Sequence, residues 1–108
     1  MTGLMTPEQR GQVAAQTALE IAIRRHYDWV PASLLATISF ELRAPFRKES
    51  DALRFDFLGR GNEIRVEAST SVQFAEGTAT VSVCITRVRL PSGAEFRPRL
   101  MHHETLEI

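Results

Sequence analysis

The chain has 108 residues, 13 basic and 13 acidic side chains and no net charge, which is one domain's length and a balance that disfavours nucleic-acid binding. No apolar stretch nears the ~18 residues of a spanning helix, residues 1–9 lack the basic-then-apolar order of a secretory signal, and the single cysteine, Cys84, excludes an internal disulfide framework. These features predict one folded cytoplasmic domain over residues 1–108, with neither nucleic acid nor membrane among its partners.

The first element is a long amphipathic helix, predicted over Pro7–His26. Thr6 can cap it, Pro7 suits the first helical position, and Gln9 completes a capping box. Arg24, Arg25 and His26 place positive charge in the last turn, where the helix dipole favours it. Ala14, Ala15, Ala18, Leu19, Ala22 and Ile23 share one broad face, with Ile21 at its edge. Gln9, Gln16, Thr17, Glu20 and Arg24 gather on the other. The apolar face is mostly alanine, so a sheet can approach the axis closely. Gly11 costs about 1 kcal/mol against alanine in a helix, which suggests a start after it. Pro31 ends the segment, with Tyr27 and Trp29 as core anchors just before it.

Four strand-like runs follow, at residues 35–43, 52–59, 63–75 and 78–90. In the first, Ala36, Ile38, Phe40 and Leu42 alternate with Thr37, Ser39 and Glu41, and Pro45 closes it. Residues 47–51 read as a charged loop. Leu53, Phe55 and Phe57 form the next inward set, and residues 59–62 form a turn rich in glycine and asparagine. Ile64, Val66, Ala68, Thr70, Val72 and Phe74 then face inward, opposite Arg65, Glu67, Ser69, Ser71 and Gln73. Glu76-Gly77 is a two-residue hairpin connection. The inward face returns through Ala79, Val81, Val83 and Ile85, with Thr78, Thr80, Ser82, Cys84 and Thr86 outside. A dozen strand residues span roughly 40 Å, longer than the helix, so the sheet must bend or overhang. Residues 91–108 form a C-terminal tail of undefined structure, in which residues 94–97 suggest a short strand. Open strand edges invite dimerisation.

This order resembles the hotdog-fold superfamily, and in particular small acyl-CoA thioesterases of the phenylacetate-degradation type. Three segments carry the likeness: PASLLATISFELRAP at 31–45, LRFDFLGRG at 53–61 and IRVEASTSVQFAEGTATVSVCITRV at 64–88. It covers roughly residues 10–90. Many members enter the helix through His-Gly-Gly, where this chain has Arg10-Gly11-Gln12. The resemblance implies an α+β fold in which a curved antiparallel sheet of four to five strands wraps the helix. It implies a homodimer joined through strand edges, and an acyl-CoA thioesterase or acyl-thioester-binding activity. No cofactor follows from it; the coenzyme A thioester would be substrate.

By this likeness the catalytic group comprises Glu20, nine residues after Gly11, together with Gly11 and Gln16. Thioester hydrolysis needs a carboxylate to attack or to activate water, and donors to hold the oxyanion. The plainer reading pairs Glu20 with Arg24 on a solvated face. Arg60, Arg65, Arg87 and Arg89 are the candidates for holding a coenzyme A phosphate at the sheet rim, and Arg43 and Arg47, flanking Pro45, carry a similar claim. His102-His103-Glu104 are adjacent on the tail and His26 is distant in sequence, so no metal is expected. Cys84 has no histidine partner in view and reads as a small structural residue. A cystatin-like sheet gripping a helix has the same element order. On that fold or on a degenerate hotdog fold, the chain would be a non-catalytic module that binds a small apolar ligand between helix and sheet or at the dimer seam, or a protein-interaction module using an open edge.

Overall fold

The computed structural model describes residues 5–28, 30–90 and 92–107; Trp29 lies outside them. The fold is α+β: one long N-terminal helix on one face of an open antiparallel sheet of seven strands. The elements are α1 (Pro7–His26), α2 (Ala32–Leu35), β1 (Ser39–Leu42), β2 (Arg47–Glu49), β3 (Ala52–Arg60), β4 (Arg65–Ala75), β5 (Thr78–Arg89), β6 (Glu95–Phe96) and β7 (Leu100–Glu107).

Helix α1 starts at Pro7, not after Gly11. The Thr6 hydroxyl accepts from the Gln9 amide, and the Gln9 side chain accepts from the Thr6 amide. This reciprocal cap satisfies two otherwise orphaned donors and offsets the glycine's helical cost. Gly11 is buried where a Cβ would stand 3.0 Å from Leu53 Cδ1 and 3.1 Å from the Phe55 ring. Close approach of helix to sheet accounts for a glycine there. The predicted face is the buried one: Ala15, Ala18, Leu19 and Ala22 are fully enclosed, and Ala14 and Ile23 nearly so.

The central order is β3-β4-β5, antiparallel throughout. Both flanks are split. β1 and β2 pair with the two halves of β3, and β6 and β7 pair with the two halves of β5. Phe55, Phe57, Val66, Val72, Val81, Val83 and Ile85 point at α1 and are enclosed. Thr70 is buried among them, and its hydroxyl donates to the Phe55 carbonyl at 2.9 Å.

The first strand is shorter than its alternation suggests. Pro31 caps a turn of helix, with Leu34 and Leu35 amides both on the Pro31 carbonyl, so residues 32–37 leave extended geometry. Thr37 is half-buried instead of facing out, its hydroxyl donating to the Leu34 carbonyl and accepting from the Asn62 amide. The charged segment 47–51 is a hairpin, not a loop: Lys48 pairs with Leu53 across a turn with Ser50 at φ 54°. Its side chains are exposed because it is an edge with no face covered. The tail supplies β6 inside the suggested 94–97 and, beyond it, the eight-residue β7.

A bulge interrupts the β4–β5 register. Glu67 pairs with Arg87 and Ala68 with Ile85, leaving Thr86 as the extra residue. Its hydroxyl donates to the Glu67 carbonyl at 3.1 Å. The insertion reverses the alternation, so Val88 points to the core while Arg87 and Arg89 share the face away from α1.

Candidate functional site

Chain geometry opens a cleft beside the C-terminal half of α1. The helix lies over β3, β4, β5 and β7, while the turn at 32–37 swings away before β1 begins. The resulting cavity of about 320 Å³ is walled by Ile23, Leu35, Ile38 and Phe40, with Glu20 and Arg24 at its polar side. Phe40 is set by its neighbours. It lies opposite Gly59, where a Cβ would stand 2.6 Å from the ring, and meets Phe57 edge-on at 6.4 Å between centroids.

Glu20 and Gln16 come together one helical turn apart: the Gln16 amide donates to Glu20 Oε1 at 3.2 Å. The pairing of Glu20 with Arg24 does not form; among the described residues Glu20 makes no ion pair, although both side chains line the cleft. Gly11 is elsewhere. It lies more than two turns toward the helix start, packed against Leu53 and Phe55, so its amide sits in the helical ladder rather than at a free terminus.

The arginines divide. Arg60, Arg65 and Arg89 line a second hollow, of about 380 Å³, at one end of the sheet. Arg87 stays apart, 2.6 Å from Glu95 and 3.6 Å from Glu67. Arg43 reaches Glu67 at 3.6 Å and Arg47 reaches Asp56 at 3.0 Å. Burial alone would raise the Asp56 carboxyl, but the Arg47 hydrogen bond and charge, with Arg54 nearby, hold it below the ordinary range. Cys84 is half-buried on the face away from α1. Tyr27 is half-buried, and burial raises its phenol.

One constellation escapes sequence reading. His102 on β7 is buried, and its Nδ1 is 3.1 Å from His26 Nε2 at the end of α1. Its Nε2 is 2.9 Å from Glu104 Oε1. A carboxylate only accepts, so His102 Nε2 donates to Glu104, and a single proton is shared between His102 Nδ1 and His26 Nε2. The contact ties the helix end to the sheet flank. His103 points to the opposite face, 3.0 Å from Ser82 Oγ. Among the described residues no group of three or more His, Cys, Asp or Glu could hold a metal ion, and no helix is long and apolar enough to cross a membrane.

Comparison with protein-family models, with curated proteins and with solved structures returns no match to this chain.

Proposed function

We propose that this chain is a non-catalytic binding module that takes a small, largely apolar ligand in the cleft between α1, α2 and β1. The observation that carries this reading is the cleft itself: a cavity of about 320 Å³ with aliphatic and aromatic walls, whose charged side chains, Glu20 and Arg24, both come from α1. Sites for small ligands have this character, with few polar groups to fix orientation. Glu20 would accept a hydrogen bond from the ligand's head, and Arg24 would receive a partial negative charge. The sheet beneath and Gly59 behind Phe40 hold the walls without a ligand.

A second reading is thioester hydrolysis by a hotdog-like enzyme, and one observation favours it. The Glu20 carboxylate and the Gln16 amide stand side by side at 3.2 Å, a base or nucleophile next to a donor. Against it, the helix start carries its own cap and Gly11 is enclosed. A homodimer joined edge to edge belongs to either reading.

A panel of acyl-CoAs and of free short-chain and aromatic acids tests both. The expected result is binding without turnover, seen by calorimetry and weakened about tenfold by Phe40→Ala through lost apolar contact. Hydrolysis that disappears in Glu20→Ala would replace the first reading with the second. Binding unaffected by both Phe40→Ala and Leu35→Trp would remove the cleft from either.

A further inference from the structure

Three arginines stand side by side across the middle of the sheet at one end. Arg60 is the register partner of Arg65, and Arg65 is the partner of Arg89. Register partners share a face, and neighbouring strands are ~4.8 Å apart, so the three Cα atoms lie within about 10 Å. Like charges directly opposite one another destabilise a sheet. The acids nearest this row offset it only in part.

Glu95, the register partner of Arg89, feels that arginine's charge, but its carboxylate lies nearest Arg87 at 2.6 Å, with Arg97 at 3.7 Å. Glu67, two residues along β4 on the same face, is taken by Arg43 and Arg87. Glu41 reaches Arg60 only at 3.9 Å, with both side chains more than 60% exposed, a geometry of little energetic weight. Glu63, at φ 63° in the turn, borders the same hollow but makes no ion pair among the described residues. Arg65 and Arg89 likewise form no ion pair there.

We propose that this hollow is an anion site for two linked phosphoryl groups, as in the pyrophosphate portion of a small molecule. Each phosphoryl sits between two neighbouring guanidiniums, so three arginines in a row serve two groups. The planar guanidinium fork suits phosphate oxygens bidentately. The ligand would cancel the repulsion along the row. The balanced charge of the chain and the shortness of the row favour a small anion over a nucleic-acid strand. The site stands apart from the apolar cleft and does not depend on it.

Inorganic pyrophosphate is the probe. Thermal unfolding and calorimetry are run on the full chain in pyrophosphate, in phosphate and in sodium chloride at matched ionic strength. Pyrophosphate is expected to raise Tm beyond chloride, with phosphate weaker. Arg65→Gln is expected to weaken pyrophosphate binding at least about tenfold, while melting no lower than the parent without ligand, because it removes a like-charge neighbour. Arg89→Gln, at the row's exposed end, gives the same reading if Arg65→Gln does not fold. Arg25→Gln, on the exposed end of α1, is expected to keep full binding. No rise above matched chloride, or a rise that survives both row substitutions, would overturn the site. A single-stranded oligonucleotide that displaces pyrophosphate at lower concentration would overturn the small-anion assignment.

Discussion

Asp56 shows how one side chain on the face away from α1 ties stability to pH. Arg47 at 3.0 Å holds its carboxyl below the ordinary carboxylate range even though burial opposes this. A folded-state value below the unfolded one means the contribution is present above the unfolded pKa of ~3.9 and is lost as pH falls through the folded value. Arg47→Ala is therefore expected to lower the urea midpoint at pH 7. The gap should close in strong acid, once Asp56 is protonated in both states. Urea unfolding of both proteins at neutral and acidic pH measures it, and an equal deficit at both would show that Arg47 acts through packing alone.

The legibility of each segment tracked its period. The α1 face and the inward sets of β3, β4 and the first half of β5 stand out because apolar side chains recur at the spacing of the helix or the pleat. β7 has the same alternation, but His102 and Glu104 occupy two of its four inward positions, opposite Val83 and Val81. The polar pair hides the pattern, and only the tertiary fold brings up His26 to complete it. β2 was hidden for the opposite reason, since all three residues are charged and nothing covers them. The Glu20–Gln16 pairing follows from helical spacing, and the arginine candidates from composition. Their sorting into a row of three and one bystander required the strand register. The His26–His102 link has its own expected outcome. His102→Ala removes a buried hydrogen-bonded group and leaves Glu104 unpartnered, at a cost of about 1–3 kcal/mol. Hydrogen exchange should then quicken in the last turn of α1 and along β7 together. Quickening in β7 alone would show that the histidine pair does not couple them.

The principal extents are 43 × 32 × 24 Å. Each border of the sheet is made from two short strands laid end to end, so no single uninterrupted edge is offered. Such interruption blunts open-ended pairing with other chains. β7, at eight residues, is the longest strand on either border and the natural seam for an isologous dimer in which two copies meet antiparallel. If that dimer forms, the chain elutes at twice its 12.1 kDa mass, and Thr105→Pro, which places a proline in β7, should shift it toward the monomer. Elution of the parent as a monomer at high concentration would exclude the shared sheet.

The extra residue at Thr86 reaches beyond a local kink. Because it inverts which way every later side chain of β5 points, the orientation of two guanidiniums depends on the number of amino acids before them and not on their identity. Losing that single position would aim Arg87 and Arg89 into the hydrocarbon interior and turn Val88 out to water. A change in the length of this strand is thus far more disruptive than an exchange of one side chain for another along it.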